Sequence, residues 1–141
     1  MPLTAADASF VEFLESAWQR HLRLAVLLTG DRSRAEELLQ DSLVRMYERW
    51  RKLSRHDDLH AYLRRALVNN HTSMWRRRRR ESLVAEVPDH AASAGTSADL
   101  DVGHALMALP AGQRAVVVLR LYEDLSERQA AEALGCSFCN V

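Results

Sequence analysis

Arg65, Asn69, Ser73, Arg76 and Arg80 follow one another at spacings of four, four, three and four. On a helix that spacing stacks them on one face. Arginine contacts phosphate oxygens and orients a protein on nucleic acid, while an Asn amide carries both a donor and an acceptor and can read a base edge. Trp75, beside the arginines, offers a plane on which an unpaired base can stack. Residues 76–80, Arg77 among them, are five consecutive arginines. Plainer readings stand beside these. Trp75 also suits a half-buried packing position. The arginine run also suits a solvated helix end, where positive charge complements the dipole. Asn70 falls on the apolar stripe of the same helix and should make a buried hydrogen bond.

Other chemistry finds little support. The chain has no Gly-rich phosphate loop, no H-E-x-x-H pair and no clustered pair of carboxylates, so we assign no catalytic residue and expect no enzyme. Cys136 and Cys139 have C-x-x-C spacing. Two thiolates cannot close a tetrahedral metal site, His90 and His104 lack motif spacing to them, and no βαβ pattern surrounds them. No metal or cofactor is expected.

The 141 residues suffice for one ordinary domain or two very small ones. Formal charge is zero, but it is unevenly placed. Residues 45–80 hold 12 Lys/Arg and 3 Asp/Glu, whereas residues 81–112 hold 5 Asp/Glu and no Lys/Arg. A basic block followed by an acidic one suggests a polyanion-binding face beside a segment that avoids it. No apolar run is long enough to span a bilayer and the N-terminus has no secretory pattern, so a cytoplasmic protein is expected.

The elements that must position the basic face read as helices. There is no sustained period-two alternation and no hairpin signal, so the fold class is all-α. Ser9 and Glu12 form a capping box opening a first helix with Phe10, Leu14, Ala17, Leu24 and Leu28 on one stripe, and Gly30 ends it. Ser33 with Glu36 opens a second, with Ala35, Leu38, Leu39, Ser42, Met46 and Trp50 aligned. Asp57 or Asp58 caps a third, which carries the basic face. An Ala/Ser/Gly-rich acidic stretch follows and reads as a flexible linker. A second helical unit begins near Asp99, breaks at Pro110 and resumes from about Gln113 to Tyr122. Ser126 with Gln129 makes a third capping box, and Gly135 ends that helix. Gly135 then supplies a turn and Ser137 a cap for the next helix, the pattern of a helix-turn-helix. Only Phe138, Cys139, Asn140 and Val141 remain, about one helical turn.

Residues 35–50 (AEELLQDSLVRMYERW), 60–80 (HAYLRRALVNNHTSMWRRRRR) and 109–137 (LPAGQRAVVVLRLYEDLSERQAAEALGCS) together resemble the extracytoplasmic-function group of bacterial sigma factors, in particular its short actinobacterial members. The resemblance implies two small helical domains: sigma domain two over residues 1–81, a flexible acidic linker over 82–98, and an incomplete sigma domain four over 99–141. Leu39, Gln40, Asp41 and Leu43 match the surface that docks on the β′ clamp helices of core RNA polymerase. The loop with Lys52 and Arg55, together with the following helix, would recognise the minus-ten promoter element. There Asn69 matches a position that helps capture an extruded base, which offsets an unstacking cost of a few kcal/mol. Arg65, Ser73, Trp75, Arg76, Arg77 and Arg80 complete the implied DNA-binding set. The implied partners are polymerase core and promoter DNA, with room for an anti-sigma factor and no membrane. Members usually continue after G-C-S into a Gly-Thr-Val-Lys-like run. Cys139 stands where Gly is usual and Asn140 where Thr is usual, so impaired minus-thirty-five reading is expected from a chain cut short. The alternative is a core-binding protein that does not initiate.

Overall fold

The computed structural model describes residues 2–53, 58–81 and 97–135. Its elements are α1 (Ala5–Thr29), α2 (Arg32–Glu48), a 3-10 turn (Trp50–Lys52), α3 (Leu59–Glu81), α4 (Ser97–Met107), α5 (Ala111–Val117), a π-helical turn (Val118–Tyr122) and α6 (Glu127–Leu134). Among the described residues every regular element is helical, as the periodicity requires.

The capping chemistry differs from the expectation at two places. The first helix opens on Thr4 instead of Ser9: Thr4 Oγ1 accepts from the Asp7 amide, and the Asp7 carboxylate accepts from the Thr4 amide. Both are boxes of a hydroxyl followed three residues later by a carboxylate. The upstream one prevails because residues 5–8 carry no helix breaker and add a turn. The second helix is capped by Asp31 instead of Ser33, with Asp31 Oδ1 accepting from the Ser33 amide at 3.2 Å. Asp31, which follows Gly30, is itself extended, φ −140°, and its carboxylate there already meets the first free amides. For α3, the cap is Asp58, whose Oδ1 accepts from the Ala61 amide. The Ser126–Gln129 box opens α6 as expected. The helix expected from Gln113 to Tyr122 starts at Ala111 and widens into the π turn.

α1, α2 and α3 pack against one another, and α5, the π turn and α6 pack on α1 and α3. One apolar cluster runs through all of them. Leu24, Leu28, Leu38, Leu39, Met46, Leu63 and Leu67 join Leu106, Ala115, Val118, Leu119 and Ala130. The downstream helices therefore rest on the upstream ones. Residues 82–96 of the expected linker lie outside the described residues, and α4 begins at Ser97.

Gly30 sits at one crossing of these two groups. Its φ is +76°, its amide donates to Val26 O at 2.7 Å, and a Cβ there would collide with the Met107 side chain. Gly30→Ala is thus expected to destabilise the chain by about 1–2 kcal/mol, from left-handed strain plus displacement of Met107. Urea denaturation measures it.

Candidate functional site

α3 presents three faces, each with a different job. The inner face carries Leu63, Leu67 and Asn70 into the core. Asn70 is 3% exposed, and its Nδ2 donates to Ser42 Oγ at 3.4 Å and to Asp41 Oδ2 at 3.5 Å. It is the buried amide the sequence called for, and it ties α3 to α2. Ser42 Oγ in turn donates to Leu38 O at 2.8 Å.

The outer face carries Arg65, Asn69, Ser73, Arg76, Arg77 and Arg80, all exposed. Asn69 and Asn70 are neighbours in sequence but point in opposite senses, one to solvent and one into the core. Four guanidinium groups and one free amide on an open helical face can hold phosphates and address a base edge.

The third face, with Arg64, Val68, His71, Thr72 and Trp75, turns towards the downstream helices. His71, Thr72, Trp75 and Arg76 line a cleft of about 530 Å³ whose other wall is residues 110–113, Ala115, Val116 and Leu134. Trp75 is half-buried at this seam, so it does not lie squarely on the exposed polar face with Asn69.

On α2, Leu39 is fully buried and Leu43 is 4% exposed. This differs from the docking role that the resemblance assigned to them. The buried stripe of α2 is Ala35, Leu38, Leu39, Ser42, Leu43 and Met46, wide enough to take up both leucines. Gln40 and Asp41 are exposed. Val44, 56% exposed, lies one turn beyond them and completes an outward patch with Glu37 and Glu48. Sequence reasoning missed Val44, although an apolar residue off the buried stripe was the available signal.

Beyond α2, Lys52 is exposed in the 3-10 turn, and Arg55 lies outside the described residues. That turn is fixed by an aromatic cluster: Phe10 and Phe13 meet the Trp50 ring at 5.2 and 5.5 Å, and Phe13 meets His60 at 5.1 Å. Tyr47 packs on Phe10 and its hydroxyl donates to Asp7 Oδ1 at 2.6 Å. Hydrogen bonds from Tyr47 and Thr4 hold the Asp7 carboxyl below the usual carboxylate range.

Under the cluster, His21 of α1 is 1% exposed and stacks on His60 of α3, ring centroids 5.5 Å apart and nearly parallel. His21 Nε2 and His60 Nδ1 share a hydrogen bond at 3.2 Å. Burial first, then the fields of His60, Arg20 and Arg64, push the His21 imidazole down to about 4. His21 is therefore neutral at pH 7 and serves as a core residue.

In the downstream group, α6 runs from Ser126 to a left-handed Gly135, φ +67°, the first helix and turn of the helix-turn-helix pattern. Ser137, Cys136, Cys139 and the segment after them lie outside the described residues. Among the described residues, no three His, Cys, Asp or Glu side chains gather as a metal site, and no helix is long and apolar enough to cross a membrane.

Known proteins share this pattern. A family model for sigma-70 region 2 matches residues 16–81, and one for sigma-70 region 4 matches residues 99–137. The chain is 38% identical over 134 residues to RNA polymerase sigma-E factor of Streptomyces avermitilis, covering 91% of this chain and 74% of that protein. It is 36% identical over 132 residues to the sigma-E factor of Streptomyces coelicolor, covering 91% and 75%. Among solved structures it is similar to the sigma factor RpoE of Bartonella quintana, crystallised in complex with the anti-sigma factor NepR. The TM-score is 0.73 at 27% identity, over 94% of this chain and 86% of that one.

Proposed function

This chain belongs to the extracytoplasmic-function group of sigma-70 RNA polymerase sigma factors, and from that premise we propose that α2 docks on core polymerase while the outer face of α3 reads the minus-ten element. A sigma factor is an initiation factor: it binds polymerase and promoter DNA and sets where transcription starts. What remains is which residues of this chain do so.

The observation that carries the assignment is the split between Asn69 and Asn70. Asn70 is consumed in the core by Ser42 and Asp41, which leaves Asn69 as the exposed amide among the arginines. In this reading Arg65, Arg76, Arg77 and Arg80 hold the backbone of the melting duplex, and Asn69 meets an extruded non-template base. Trp75 supplies the edge of the pocket from the seam. Gln40, Asp41 and Val44 form the patch for the β′ clamp helices, an exposed aliphatic group rimmed by polar ones. Residues 1–81 and 99–141 then act as sigma domains two and four, joined through the acidic segment. In this reading the protein works in the cytoplasm beside polymerase and promoter and carries out no catalytic step of its own. The crystallised relative is held by an anti-sigma factor, which supports a regulator of that class here.

Two outcomes test the DNA assignment. Asn69→Ala is expected to lower occupancy of a matched minus-ten element about tenfold or more, the scale of one bidentate base contact, with affinity for core unchanged. Equal transcription from matched promoters by variant and parent would remove Asn69 from the site. Converting Arg76, Arg77 and Arg80 to Gln is expected to flatten the salt dependence of DNA binding by up to about three units of slope. An unchanged slope would mean that these arginines are merely solvated. Run-off transcription on a matched promoter separates initiation from bare core binding, and the sigma-E relatives favour initiation.

A further inference from the structure

Several buried polar groups tie one helix to another. Glu123, 3% exposed in its side chain, has its Oε2 3.5 Å from Arg20 Nη2 of α1 and 3.4 Å from Arg64 Nη1 of α3. Arg114 of α5 is 8% exposed and donates to Leu28 O of α1 at 2.8 Å. Asn70 makes the corresponding tie between α3 and α2. Of these three, only Asn70 ends on a residue of the patch assigned to polymerase, Asp41.

The chemistry of that contact fixes which way the amide points. Ser42 Oγ donates its one hydrogen to Leu38 O, so towards Asn70 it can only accept. The Asp41 carboxylate also only accepts. Both partners therefore call for hydrogens, and Asn70 Nδ2 carries two, one for each. A Ser or Thr hydroxyl at this position has a single hydrogen and would serve only one of them.

Packing alone does not require this amide. Its companions on the inner face of α3 are Leu63 and Leu67, and burying an amide carries a desolvation cost that its hydrogen bonds offset. A leucine would fill the position without orphaning a donor, because Ser42 keeps Leu38 O and the exposed Asp41 keeps water. What the amide adds is an orientation. An Asp on an exposed helical face moves between staggered rotamers. A donor anchored in the core selects one of them for Asp41, while the carboxylate stays open to a partner on the outside.

We propose that Asn70 is a positioning residue for polymerase docking: from the core side of α3 it holds the Asp41 carboxylate of α2 in the orientation that the polymerase meets. The hold on Asp41 stands on the contact itself; its consequence for polymerase rests on the docking role assigned to α2 above. Fixing the side chain before binding removes its ordering cost from the association step.

The test uses the full chain and core RNA polymerase, with two variants that remove the same donor. Asn70→Leu keeps the volume of the side chain, and Asn70→Ala does not, so their urea midpoints should differ. Both should lose about 3- to 10-fold in affinity for core, the scale of one side chain left to be ordered on binding. In an Asp41→Ala chain, Asn70→Leu should cost no further affinity, because the residue through which it acts is gone. Three-bond couplings at Asp41, measured by NMR, should show one dominant rotamer in the parent and averaging in Asn70→Leu. An affinity that follows the urea midpoint across the two variants would make Asn70 a purely structural tie and overturn the proposal. So would equal losses from Asn70→Leu with and without Asp41, or an Asp41 rotamer that Asn70→Leu leaves unmoved. Should Asp41→Ala bind core as the parent does while the rotamer result stands, the docking role of Asp41 is what fails. The two failures are thereby told apart.

Discussion

Leu39→Asp is expected to unfold the chain rather than detach it from polymerase. Leu39 is fully buried in the cluster shared by all three upstream helices. A carboxylate there loses its water and gains no partner, and the leucine volume is left part empty. Each is a recognised source of large losses, and together they place the variant at about 4 kcal/mol or more. That is of the order of the whole stability of a small helical domain. Gln40→Arg, one residue along and exposed, should cost no more than about 0.5 kcal/mol while abolishing co-purification with core. Circular dichroism in urea, paired with core binding of the two variants, separates the effects. A Leu39→Asp chain with the parent's urea midpoint and no core affinity would return Leu39 to the docking surface and refute the burial argument.

Acid should weaken the fold through His21. Its imidazole is held down at about 4, against 6.5 when free. Below pH 6.5 the unfolded chain takes up a proton at this position that the folded chain refuses. The unfolded state then binds more protons, and stability falls as pH falls. The contribution is fully present above about pH 6.5 and is lost progressively towards pH 4. Across that window it amounts to about 3 kcal/mol, from 1.36 kcal/mol for each unit. The groups around it sharpen the effect: Arg20 beside it, Arg64 and His60 on α3 all oppose a further positive charge. Urea denaturation at pH 7, 5.5 and 4.5 should show this decline in the parent and a much flatter one in His21→Leu. Equal slopes in the two proteins would mean that His21 titrates normally.

The capping motifs show how far local sequence reaches. Gly30, Ser126, Gln129 and Gly135 behave as their types dictate, because a left-handed glycine or a reciprocal box is satisfied within four residues. Where two such boxes competed, at Thr4–Asp7 and Ser9–Glu12, the choice turned on how many further residues could join the helix. The same logic explains Asp31 displacing Ser33. Asp124 is a related case: it adopts φ +55°, a left-handed position that Asp tolerates better than most residues, and it carries the chain from the π turn into α6. Glycine at that position is expected to be neutral or slightly stabilising.

The site was legible in part for the same reason. Helical periodicity alone put Arg65, Asn69, Ser73, Arg76 and Arg80 on one face and Asn70 on another. It could not say how wide the buried stripe of α2 would be, since that depends on α1 and α3 covering it from two sides. Leu39 and Leu43 therefore matched a docking pattern in one dimension and proved to be core in three, while Val44 went unnoticed. Trp75 is half-buried because α5 and α6 stand beside it, and they come from a segment more than thirty residues away.

The sequence by itself determined that the chain is helical, that it has a basic face on α3, and that its order of motifs is that of a sigma factor. Each is a local property, written in spacing, charge and caps. Only the tertiary structure decided which apolar residues of α2 face solvent, that His21 is stacked in the core as a neutral ring, and that Glu123 lies between Arg20 and Arg64. Those outcomes depend on which surfaces exclude water from one another. That is set by contacts between residues as far apart as Leu28 and Arg114, about which no window of the sequence carries information.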